Sequence, residues 1–183
     1  MPRMSSRHTW PLLVNGRARD TQAGFTLIET MLAAGLLATL AVGVTQVFGV
    51  ATRANHLARA RSMSAILAAE KMEQLRSLTW AHAPGGERLS DTSTDLSSDP
   101  PSPGGPGLLP APADALESDV SFYVDYFNNA GARVRSRHPA AFVRRWSVAP
   151  LPRDPDNLLL LQVRVVAVGA GDSRLVSIKA RRP

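Results

Sequence analysis

The stretch Gly24-Phe25-Thr26-Leu27-Ile28-Glu29, with the apolar run that follows it to about Val50, decides how the rest of the chain is read. About 20 apolar residues suffice to cross a bilayer as a helix. This run carries an acid in its first turn, Glu29. An ionisable side chain in a membrane span costs roughly 2–4 kcal/mol on insertion scales, so a chain that keeps one there has a use for it, usually a partner.

Upstream, residues 1–24 form a basic leader, with Arg3, Arg7, Arg17 and Arg19 against Asp20, and end in glycine. An ordinary secretory signal places its cleavage site after the apolar core, which here would fall near Ala38–Val42. Such a signal, cleaved or retained as an anchor, has no need of Glu29. The four leader arginines orient the span with its N-terminus in the cytoplasm by the positive-inside rule. Gly24 presents no side chain to an enzyme approaching the Gly24–Phe25 bond.

These residues resemble the N-terminus of type IV prepilins and type II secretion pseudopilins. The resemblance implies cleavage after Gly24 by a prepilin peptidase/N-methyltransferase and N-methylation of the new N-terminus, Phe25. It also implies an assembly role for Glu29, paired with the N-terminal amine of a neighbouring subunit. The partners implied are other pilins or pseudopilins, the inner membrane and its assembly platform. In hydrocarbon such a carboxylate–ammonium pair attracts far more strongly than in water. Gly35, Gly43 and Gly49 with Ala33, Ala34, Ala38 and Ala41 let helices approach closely, although small residues are common in membrane helices generally.

At 183 residues and net charge +6, the chain has room for one span and one modest domain. The charge is uneven: net +3 in the leader, −5 over 80–118 and +6 over 119–183. There are no cysteines, so disulfides, thiol catalysis and thiolate metal sites are excluded.

From Ala51 to about Thr79 good helix formers dominate, without proline or glycine. At 100° per residue Val50, Leu57, Ser64, Ala68 and Leu75 fall within an arc of roughly 40°, flanked by Ala60, Met72 and Leu78, with Arg61 and Lys71 intruding at the edges. One helix is therefore expected from Phe25 to near Thr79, roughly 80 Å long. Residues 25–50 would be its membrane half and 51–79 the spine of a soluble domain; a coiled-coil dimer is the weaker alternative for this alanine-rich stripe. The segment Ala69-Glu70-Lys71-Met72-Glu73-Gln74-Leu75-Arg76 resembles, more loosely, the helix end of minor pilins of the PilV and GspI kind, and the absence of a proline from the span fits a minor subunit.

Residues 80–118 are rich in proline, glycine, serine and aspartate, centred on Pro100-Pro101-Ser102-Pro103-Gly104-Gly105-Pro106-Gly107. That composition predicts an extended or mobile acidic linker. Glu87, Asp91, Asp95 and Asp99 recur every four residues and could suit calcium, but the EF-hand pattern is absent and a solvated acidic loop is the plainer reading.

Residues 119–183 read as an antiparallel β head. Val120, Phe122 and Val124 alternate with Ser121, Tyr123 and Asp125, and Asn128-Asn129-Ala130-Gly131 supplies a turn. A short return over Arg133–Arg137 is followed by strands over Ala141–Val148, Leu158–Val168 and Leu175–Ala180. The fold class expected is α+β: a long N-terminal helix with a small antiparallel sheet packed on its C-terminal half, a pilin-like arrangement.

Candidate chemistry is sparse. His8, His56, His82 and His138 are scattered without metal-ligand spacing. No nucleophile elbow or phosphate-cradling loop occurs, and Gly169-Ala170-Gly171-Asp172 reads as a hairpin turn. Trp146 beside Arg144 and Arg145 suits a core tryptophan with edge arginines better than an anion site. The expectation is a non-enzymatic structural subunit without cofactor or metal, a minor pilin or pseudopilin. It would sit in the inner membrane with a periplasmic head and then enter a type IV pilus or a type II secretion pseudopilus. The alternative is a DNA- or surface-binding tip subunit using Arg133, Arg135, Arg137, Arg144, Arg145, Arg181 and Arg182.

Overall fold

The computed structural model describes residues 24–183; the leader up to residue 23 lies outside the described residues. The structure divides into two units, one ending at Val47 and one spanning Phe48–Pro183.

In the first unit Gly24, Phe25 and Thr26 precede the helix and α1 begins at Leu27. Thr26 is its N-cap: its Oγ1 accepts from the Glu29 backbone N–H at 3.3 Å, and its carbonyl accepts from Glu29 and Thr30. Thr26-x-x-Glu29 is a capping-box pattern, a helix-start signal the periodicity reading passed over. The hydroxyls farther along satisfy themselves. Thr30, Thr39 and Thr45 each donate to a carbonyl three or four residues back. Every side chain from Gly24 to Val47 is exposed, and the helix is long and apolar enough to cross a membrane.

Helix α1 runs Leu27–Ser77 and ends two residues before the expected Thr79. Its last turns bury Ser64, Leu67, Ala68, Lys71, Met72 and Leu75. The stripe is thus recognised from Ser64 onward, whereas Val50 and Leu57 are exposed. Lys71, read as an intrusion at the stripe's edge, is fully buried because it has an acid to meet, described below.

A five-stranded antiparallel sheet covers that face. Its strands are β5 (Val124–Phe127), β6 (Arg133–Val134), β7 (Phe142–Pro150), β8 (Leu158–Ala167) and β9 (Gly171–Ala180), in the order β6-β5-β7-β8-β9. Trp146, Val148, Leu161, Val163 and Val165 point inward with Leu67, Met72 and Leu75 of the helix. Each such side chain contributes roughly 1.5–3 kcal/mol on burial. Gly131 closes the β5–β6 turn at φ 78°, a conformation that favours glycine.

Two strands turn apolar residues outward. The expected strand from Asp119 starts only at Val124, and Tyr123, Asp125 and Phe127 face inward while Phe122 lies exposed. Phe122 sits at φ 67°, where a non-glycine residue costs on the order of 1–3 kcal/mol. That turn shifts the strand by one residue, which exchanges its faces. The exchange buries Asp125 beside three cations and leaves Val124 half-buried. On β9, Leu161 pairs with Ser177 and Val163 with Leu175, so Val176 and Ile178 take the outer face. They are 58% and 56% exposed.

The segment over 80–118 is more ordered than its composition suggests. It forms two short antiparallel pairs, β1 (Trp80–His82) with β2 (Arg88–Ser90) and β3 (Thr94–Asp95) with β4 (Ser102–Pro103). Leu96, Leu108 and Ala115 from it enter the core. Its glycines serve close packing as well as turning: a Cβ on Gly105 would lie 2.2 Å from the Asp95 Cα. Asp91 is spent locally, accepting from the Ser93 and Thr94 backbone N–H groups and the Thr94 hydroxyl, and Asp95 accepts from Ser97. Those hydrogen bonds outweigh partial burial and hold the Asp91 carboxyl below its usual range.

Candidate functional site

Gly24, Phe25 and Glu29 fall together at the start of α1. The Gly24–Phe25 bond lies outside the helix, its carbonyl and amide free of helical hydrogen bonding, and Phe25 is 79% exposed. Nothing lies within 4 Å of where a Gly24 side chain would be, so the glycine answers no packing need within the described residues. Glu29 stands in the first turn, where a carboxylate is favoured by the helix dipole. Its carboxylate has no salt-bridge partner among the described residues. An accessible bond, an unpaired acid one turn later and a bare apolar helix are thus contiguous. Residues 19–45 match the prokaryotic N-terminal methylation motif. No curated protein and no solved structure matches the chain. The methylation motif accounts for the end of the leader, the bond before Phe25 and the first part of α1, and leaves the head unassigned.

In the head the arginines proposed as a basic surface are largely occupied. Arg144, 2% exposed, donates to both Asp125 oxygens at 2.9 and 2.8 Å, to the Leu67 carbonyl at 2.8 Å and to Glu70 at 3.1 Å. Arg145, also buried, donates to Asp119, which Arg137 and the Tyr126 hydroxyl also reach. Burial alone would raise the Asp119 pKa; the Arg145 hydrogen bonds and charge outweigh it and leave that carboxyl below its usual range. Arg133 donates to Asp125 at 2.8 Å, and Arg181 stacks on Trp80 at 3.5 Å while donating to backbone carbonyls. Five of the seven arginines are thus held by internal contacts, Arg135 and Arg182 form no salt bridge among the described residues, and the two beside Trp146 are core residues rather than edge residues.

Lys71 completes the cluster. Its Nζ lies 3.2 Å from Asp125, donates to the Leu96 carbonyl at 2.6 Å and sits 4.2 Å above the Trp146 ring. Burial pushes its pKa down from 10.5 to about 8, against the opposing pull of Asp125 and with help from Arg144 and Arg133. Helix, sheet and the 80–118 segment are tied here through Lys71, which reaches Asp125 on one side and the Leu96 carbonyl on the other. Sequence reading missed Asp125 because it stood in the polar half of an alternation; the signal was an acid flanked by inward aromatics, Tyr123 and Phe127. Among the described residues no group of three or more histidines and carboxylates is placed to hold a metal ion.

Proposed function

We propose that this chain is a minor pilin or pseudopilin, processed after Gly24, methylated on Phe25 and assembled through its N-terminal helix into a type IV pilus or a type II secretion pseudopilus. The observation that carries the reading is the coincidence at one helix start of the methylation motif, the accessible Gly24–Phe25 bond and Glu29 on an unburied apolar helix. An ordinary signal sequence requires none of these together. Before processing, the precursor spans the inner membrane once, with its leader in the cytoplasm and its head in the periplasm. The prepilin peptidase supplies both hydrolysis and methylation, so the chain is substrate and building block. The head serves as a module on the helix end, with Arg144, Arg145 and Lys71 paired to carboxylates in its interior.

The test is mass spectrometry of the mature protein from its native membrane. The expected N-terminus is N-methylated Phe25. An intact leader, or a new N-terminus near Ala41, would reject the reading.

A further inference from the structure

A cleft of about 550 Å³ opens between the loop over 97–99 and the β5–β6 pair, lined among others by Ser97, Asp99, Phe122, Val124, Arg133 and Arg135. Asp125 and Arg133, which also line it, belong to the buried charge cluster. Three cations, Lys71, Arg133 and Arg144, share two carboxylates, Asp125 and Glu70. That leaves one positive charge in excess, most of it held where water screens poorly. Arg133 is the cation that reaches both places. Its side chain is 21% exposed, one of its five N–H donors is spent on Asp125, and it lines the cleft.

At the rim, Arg135 has no salt-bridge partner among the described residues, and Asp99 lines the same cleft. Phe122 is the only non-glycine residue among the described residues with a positive φ, and its ring stays 42% exposed at the cleft. Packing does not explain that strain, because the ring is not buried. An excess of a single charge suits a monoanion. A guanidinium fork above it suits a carboxylate, and the ring with Val124 and Val134 suits a ring or aliphatic body attached to that carboxylate.

We propose that this cleft binds the carboxylate of an organic monoanion, with Arg133 and Arg135 as its anion contacts and Phe122 as the wall for its body. The carboxylate can come from an acidic sugar or from an acidic polypeptide side chain, and two probes separate the sources. Sodium glucuronate, N-acetylglutamate amide, neutral glucose and inorganic phosphate are titrated into the full chain in detergent micelles, with saturation-transfer NMR and calorimetry as readouts. Binding of glucuronate alone identifies an acidic sugar, and binding of N-acetylglutamate amide alone an acidic side chain; binding of both places recognition in the carboxylate itself. Each supports the proposal. Arg135→Gln removes an exposed charge, and Phe122→Gly places glycine where the backbone already favours it, so both variants should keep the wild-type melting temperature. Each is expected to weaken binding about tenfold or more, the scale of one lost charge-assisted contact. Arg133→Gln should do the same, but it disturbs Asp125 and is read only alongside the other two. No binding of either carboxylate, equal binding of glucose or phosphate, or affinity unchanged in both Arg135→Gln and Phe122→Gly would overturn the assignment.

Discussion

Lys71 shows how far one side chain can depart from its pattern. On a helical wheel it interrupts an apolar stripe, yet in the structure it is buried against Asp125, the Leu96 carbonyl and the Trp146 ring. Its pKa is lowered, so between about 8 and 10.5 the unfolded chain binds more protons than the folded one. Stability contributed by this group therefore rises with pH across that window and is lost as pH falls through about 8. The span of the effect is on the order of 3 kcal/mol. Lys71→Met should reduce the slope to what Lys179 contributes and leave the protein about as stable at pH 7, because Asp125 keeps Arg133 and Arg144 as counter-charges. Asp125→Ala should instead cost about 3–5 kcal/mol, because buried Lys71 and Arg144 would lose their counter-charge. Unfolding of the full chain in micelles, followed by tryptophan fluorescence from pH 7 to 10.5, checks both. A flat wild-type profile would show that the fold does not lower the Lys71 pKa.

At the scale of elements, legibility followed the source of the ordering energy. Helix α1 and strands β7, β8 and β9 are set by local propensity and by apolar periodicity, and their places were readable to within a few residues. Strand β5 was misplaced because its inward choice depends on Lys71, Arg133 and Arg144, residues distant in sequence. The 80–118 segment looked like a linker because proline and glycine signal flexibility when only neighbours are considered. The structure uses two of those glycines for close approach, Gly105 against Asp95 and Gly107 against Asp91. Gly105→Ala is therefore expected to destabilise the head by about 1–3 kcal/mol, the usual cost of forcing extra atoms into packed space. Gly85→Ala, with nothing within 4 Å, should be neutral or slightly stabilising. Thermal melts of the two variants decide it. Equal melting temperatures would mean that the segment is a loose linker after all.

For the whole molecule the question is why an acid sits at the start of a helix apolar enough to cross a membrane, and two answers with different chemistry compete. Thr26 and Glu29 stand at capping-box positions, and the Glu29 amide already donates to Thr26 Oγ1. On that account Glu29 helps to start the helix, and its charge is incidental. On the assembly account the charge is the point, because the freed Phe25 amine of a neighbouring subunit needs a counter-ion in hydrocarbon. Glutamine separates them: it serves a capping box as well as glutamate does, but carries no charge. Glu29→Gln and Glu29→Ala should both be cleaved after Gly24, since the bond proposed to be cut lies before the helix. If the charge makes the subunit contact, both variants should accumulate in the inner membrane and be lost from sheared filaments or from cross-linked pseudopilus complexes by tenfold or more, the factor set by an interaction of roughly 1.4 kcal/mol. If Glu29→Gln assembles like wild type while Glu29→Ala does not, capping is the whole of Glu29's role and the proposed pairing with Phe25 is wrong. Wild-type assembly of both would remove Glu29 from the assembly step altogether.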